Sequence, residues 1–182
     1  MWRIIASVLI GAFVLSPPRV FAIEFFNPKS GPAPPLALTA ADGSSVILRP
    51  FEYSVTVVHF FATWCKPCLT EMPALERFAK RIDSSSVRIL AVSVAEPALR
   101  VRRFVQSTPS SIPILLDRDG AVAKSWHVAN LPSTIVLGRR LEQRLAAERE
   151  VDWDGIETTQ FLDAASSTDE RSGVKVGGEE KR

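Results

Sequence analysis

Only two cysteines, two histidines and two methionines occur in this chain of 182 residues. A structural zinc site needs about four nitrogen or sulfur ligands, and the chain offers no second C-x-x-C and no H-x-x-x-H to supply them. No metal is therefore expected. Charge of one sign is scarce too: 22 basic against 20 acidic side chains leave a net charge of +2, too little for a dedicated nucleic-acid surface. No internal repeat is present, and no apolar run is long enough to span a bilayer comfortably. The longest, Ile4 to Leu15, rises about 18 Å as a helix against roughly 30 Å of hydrocarbon.

That short run has another reading. Arg3 precedes it, and Ser16-Pro17-Pro18-Arg19-Val20-Phe21-Ala22 follows with small residues at Val20 and Ala22. This pattern resembles a secretory signal peptide over residues 1–22, cleaved after Ala22, with an uncleaved membrane anchor as the alternative. Residues 1–22 hold two arginines and no acid, so cleavage lowers the 22 basic side chains to 20 and balances the acids. The expected compartment is the bacterial periplasm, where disulfide chemistry is permitted.

Both cysteines sit together in Trp64-Cys65-Lys66-Pro67-Cys68, directly after the apolar run Val55 to Phe61. A buried strand feeding C-x-x-C and then a helical pattern is the context of thiol–disulfide redox chemistry. If Cys65 begins the helix, unpaired N–H groups and the positive helix end favour its thiolate. Cys68, one turn on, is then close enough to resolve a mixed disulfide. A purely structural bridge across so short a loop would add little stability, because the chain-entropy contribution grows with loop length. Copper(I) held between the two thiolates is the alternative from another class, with Met72 and His59 as nearby third ligands.

The mature chain reads as an α/β domain. Residues 23–35 contain Pro28, Pro32, Pro34 and Pro35 and suit an extended linker. The domain is placed at 36–165 and a disordered polar tail at 166–182, which has no large apolar side chain beyond Val174 and Val176. Leu36–Thr39 and Val46–Leu48, separated by Asp42-Gly43, predict a hairpin. Val55–Phe61 and Val87–Val94 predict buried strands, with Leu75, Phe78, Ala79 and Ile82 at helical spacing between them, which makes a βαβ unit. Further elements are predicted as a helix through Leu99 to Val105, a strand at Ile112–Leu116, a helix at Ala121–Trp126, a strand at Thr134–Leu137 and a helix over Asp154–Ala165. Arg139–Val151 is rich in helix formers but falls where an edge strand is required, and is read as strand. About 130 residues suffice for one core and not two.

The segments Phe61-Ala62-Thr63-Trp64-Cys65-Lys66-Pro67-Cys68, Glu71-Met72-Pro73 and Leu131-Pro132-Ser133-Thr134 resemble the periplasmic thioredoxin-like proteins of the TlpA, ResA and CcmG type over roughly Leu36 to Ala165. The resemblance implies a thioredoxin-like fold with an amino-terminal β-hairpin, a βα insertion at Val87–Leu116 and a central mixed sheet flanked by helices. It implies a thiol–disulfide oxidoreductase with no cofactor beyond the Cys65–Cys68 disulfide, acting as a dithiol reductant on apocytochrome c or copper-centre assembly proteins. A membrane electron donor would recharge it. Carried over by position, Cys65 attacks and Cys68 resolves. Pro132 is the cis-proline facing the disulfide, Leu131 offers its backbone to the substrate chain, and Glu71 is the acidic residue under the active-site helix.

Three positions depart from the pattern. His59 stands where thioredoxins place a buried aspartate, Leu137-Gly138-Arg139-Arg140 lacks an Asp-Gly turn, and Lys66 puts a cation between the cysteines. C-x-x-C proteins span about −270 to −120 mV, so an oxidase or isomerase is the alternative within the same chemistry. Trp64, beside the attacking cysteine, suits partner contact. Glu71, three residues after Cys68, shares its helical face and suits proton handling. His59 is a second candidate for that task, against the plainer reading of a hydrogen-bonded core histidine.

Overall fold

The computed structural model describes Phe25 and residues 31–166. The expected signal peptide and the polar tail beyond Ser166 lie outside the described residues. β1 (Ala37–Thr39) and β2 (Ser45–Ile47) form an antiparallel hairpin. Its turn is fixed by Asp42, whose Oδ1 accepts from the Ser44 N–H at 2.8 Å, and by Gly43 at φ 96°, where a side chain would be strained.

The main sheet follows from alternation. β3 (Val55–Phe61) is buried at all seven positions, as a central strand covered on both faces must be. Val55, Val57 and Phe61 face one core with Leu75, Phe78 and Phe161, while Val58 and Phe60 face the other with Leu90, Leu115 and Trp126. His59 shares the parity of Val57 and Phe61 and so points to the first core. α1 (Lys66–Arg81) places Cys68, Glu71, Met72, Leu75 and Phe78 on its buried side and runs on through Pro73. Having no N–H, Pro73 leaves the Leu69 carbonyl without its helical partner.

β4 (Val87–Val94) pairs parallel with β3, α2 (Ala98–Ser107) crosses back, and β5 (Ile114–Asp117) pairs parallel with β4. After α3 (Ala121–Ser125), β6 (Ser133–Leu137) lies antiparallel to β3 on its other side, and β7 (Gln143–Ala147) closes that edge. The order is β5-β4-β3-β6-β7, and α4 (Thr158–Ser166) completes the chain.

Three details refine the sequence reading. α4 begins at Thr158 and not at Asp154, because the Glu157 carboxylate accepts from the Thr159 and Gln160 N–H groups at 3.0 and 3.1 Å and so opens the helix there. Ordered contacts also reach upstream of Leu36: Ala33 N–H donates to Leu141 O at 2.8 Å, and Gln143 N–H to Gly31 O at 3.2 Å. Phe25 packs further out, its ring 6.2 Å from Trp153 and 6.3 Å from Phe161. At the third, the β6–β7 turn manages without Asp-Gly because Glu142 replaces that chemistry. Its Oε2 accepts from Arg140 N–H at 2.8 Å, and its Oε1 would lie 2.5 Å from a Cβ on Gly138.

Candidate active site

β3 ends at Phe61, and four residues later Cys65 caps α1 in an extended conformation, φ −81° and ψ 102°. Its sulfur accepts from the Cys68 N–H at 3.3 Å, and Cys65 N–H donates to Ala62 O at 3.1 Å. Pro67 falls in the first turn, where its missing N–H costs nothing. The two sulfurs are joined, with Cα atoms 5.3 Å apart. Cys65 keeps 6% of its surface and Cys68 none, so an incoming thiolate or disulfide reaches Cys65 first. Lys66 is exposed beside it.

The loop before the cysteines is tied to β4 by a buried carboxylate. Glu96 accepts from the Thr63 N–H at 2.7 Å, the Thr63 hydroxyl at 2.5 Å and the Ser93 hydroxyl at 2.8 Å. Hydrogen bonds of this number satisfy an acid that burial would otherwise penalise. They fix the backbone from which Trp64, 65% exposed, projects.

The Leu131–Pro132 bond is cis. Pairing of Phe60 with Ser133 brings that proline to the end of β3 from which the cysteine loop departs. Trp64 and Leu131 both line a cleft of about 420 Å³, together with Val94, Val128, Ala129 and Asn130. Pro132 is buried and Leu131 half-buried.

Beneath the helix lies a polar pair. Glu71 and His59 are buried, their nearest atoms, Oε1 and Nδ1, 4.0 Å apart. The Trp153 indole N–H donates to Glu71 Oε1 at 2.5 Å, and His59 Nδ1 is 3.0 Å from the Thr134 hydroxyl, its cross-strand neighbour. Glu71 Oε2 and His59 Nε2 have no hydrogen-bond partner among the described residues. Burial pushes the Glu71 carboxyl up to about 7, against the Trp153 hydrogen bond, which lowers it, and with the Glu150 charge, which raises it. Burial pushes His59 down to about 4. At neutral pH the imidazole is therefore uncharged and the carboxyl is poised to gain or lose a proton.

The fold thus gathers Trp64, Cys65, Cys68, Leu131 and Pro132 at one end of the sheet, with Glu71 and His59 behind the disulfide. Sequence reasoning missed Trp153, Thr134 and Glu96. Only strand pairing and the return of the chain after β7 bring these to the site.

A two-cysteine helix start and a cis-proline at the same end of a five-stranded mixed sheet flanked by helices define a thioredoxin-like protein. The chain belongs to the AhpC/TSA family, whose model matches residues 30–144. It is similar to the thiol-disulfide oxidoreductase ResA of Geobacillus kaustophilus, 34% identical over 110 residues that make up 60% of this chain and 63% of the relative. The chain spans less than two thirds of the length of such curated relatives. StoA from Bacillus subtilis has the same fold, at TM-score 0.61 and 21% identity over 72% of this chain and 96% of StoA. The exposed lipoprotein thioredoxin Etrx1 of Streptococcus pneumoniae gives 0.63 and 19% over 71% and 98%. Among the described residues no helix is long and apolar enough to cross a membrane.

Proposed function

We propose that this protein is a periplasmic thiol–disulfide oxidoreductase that reduces disulfides in partner proteins, with apocytochrome c haem-binding motifs and copper-centre assembly proteins as the substrate classes. The observation that carries this reading is the joined Cys65–Cys68 pair at the start of α1, with Cys65 keeping a small exposed surface and Cys68 none. The similarity to ResA proteins supports it.

The cycle starts once a membrane electron donor has delivered two electrons and two protons to the disulfide. Cys65 thiolate, favoured by the helix start and by Lys66, attacks one sulfur of the substrate disulfide, and the substrate's other sulfur leaves as thiolate. Cys68 gives up its proton and attacks Cys65 Sγ. That step expels the second substrate thiolate and restores the Cys65–Cys68 bond. Glu71, one turn from Cys68 and titrating near 7, receives the Cys68 proton and returns it to the departing thiolate. His59, neutral at this pH, holds the position beside Glu71 through Thr134. Trp64 and Leu131 flank the cleft in which the substrate chain lies.

The test uses a peptide carrying an oxidised Cys-x-x-Cys-His motif, the haem-attachment pattern. Pre-reduced protein is expected to yield two peptide thiols for every Cys65–Cys68 disulfide formed, followed by thiol titration and mass. Absence of transfer to a peptide that dithiothreitol reduces readily would overturn the reading.

A further inference from the structure

The charges around the disulfide end of the sheet are not evenly spread. From Pro97 to Leu116 the sequence holds no acidic residue, while α2 carries Arg100, Arg102 and Arg103, all exposed. The ion pairs among the described residues use His59, Arg77, Arg88 and Arg144, so these three arginines are uncompensated. α2 also starts without an acidic residue in its first turn and without a side-chain cap on its N–H groups. The positive helix end therefore adds to the arginine charge instead of being offset by it.

This basic helix adjoins the cysteine loop. Glu96 hydrogen-bonds Thr63 at 2.7 and 2.5 Å, and α2 begins two residues after Glu96. That carboxylate is buried among the Thr63 and Ser93 donors, and one acid set against three exposed arginines leaves the surface basic. Trp64 and Leu99 project from the two tethered segments and are 65% and 61% exposed. Leu99 shares its helical face with Arg102 and Arg103, at spacings of three and four.

We propose that Trp64, Leu99 and the arginines of α2 form a docking face for an acidic segment of the partner protein that carries the target disulfide. Trp64 and Leu99 supply apolar contact beside Cys65, and the arginines steer and orient the acidic chain on the β4–α2 side. The proposal rests on the oxidoreductase reading above. A steering surface of this kind acts on the association rate and weakens as salt shortens the screening length.

The experiment follows reduction of two disulfide-bonded peptides with the same central sequence, one with acidic and one with basic flanks, and of a small uncharged disulfide. Wild type is expected to reduce the acidic peptide about tenfold faster than the basic one at low salt, the ratio collapsing at high salt. Combined R100E, R102E and R103E substitution is expected to reverse that preference and to leave the small disulfide unaffected. Acid in the first turn of α2 suits the helix dipole, so the fold should persist; R100Q with R102Q and R103Q is expected to abolish the preference without reversal. Equal rates for both peptides in wild type would overturn the docking face while leaving the oxidoreductase reading intact. So would arginine-dependent binding to phosphatidylglycerol vesicles without peptide preference, which would reassign the patch to a membrane. Failure to reduce any of the three disulfides would overturn both readings.

Discussion

Replacing Cys65 by serine is expected to abolish disulfide exchange, with a loss of at least about a thousandfold, because the one thiol left, Cys68, has no exposed surface from which to attack. Cys68→Ser is expected to behave differently. Cys65, the more accessible of the two, remains, so the first exchange proceeds, but the mixed disulfide has no internal thiol to resolve it and accumulates. Mass spectrometry after exposure to an oxidised substrate peptide should therefore find adduct on Cys68→Ser and none on Cys65→Ser. The asymmetry rests on the sealed position of Cys68 against the accessible one of Cys65. Adducts of equal abundance on both variants would contradict the assignment of attacking and resolving roles.

The second large effect concerns Glu71. Its ordinary carboxyl value of 4.5 is raised to about 7 in the fold. Below 4.5 both folded and unfolded chains hold the proton. Between 4.5 and 7 the folded chain still holds it and the unfolded one has lost it, so the Glu71 contribution to stability falls as pH rises, by about 3 kcal/mol across the window. His59 has the opposite slope: lowered from 6.5 to about 4, it takes up a proton in the unfolded chain first, and stability falls as pH drops through that range. Wild type should therefore be most stable between about pH 4.5 and 6.5. Glu71→Gln is expected to remove the fall above that range, read by urea unfolding at a series of pH values. The same variant should slow the resolving step about a hundredfold near pH 7, because the proton acceptor is gone. An unchanged stability profile together with an unchanged resolving rate would make Glu71 a packing residue only.

How far the sequence disclosed this site depends on distance along the chain. β3 and β4 were legible to the residue, because strands buried on both faces leave uninterrupted apolar runs. The cysteine pair and Glu71 lie on one helix, and their spacing alone places them on one side. The strand β7 was read against its own composition: Arg144, Leu145, Ala146 and Ala147 favour helix, and only pairing with β6 makes them strand. The partners of the buried acid were not legible at all. Trp153 is 82 residues from Glu71, and Thr134 is 75 from His59. An isolated Trp-Asp after an edge strand carries no signal that its indole will turn inward to a carboxylate. Glu96 likewise reads as a loop acid before a proline until the fold brings Thr63 and Ser93 to it.

The reduction potential of the Cys65–Cys68 couple tests the reductant reading most directly. Equilibration in graded thiol–disulfide buffers, followed by alkylation and mass analysis, gives the oxidised fraction at each poise. A reductant should lie at about −230 mV or below, on the thioredoxin side of the known range, whereas a value near about −120 mV, where the strong disulfide donors lie, would contradict the account.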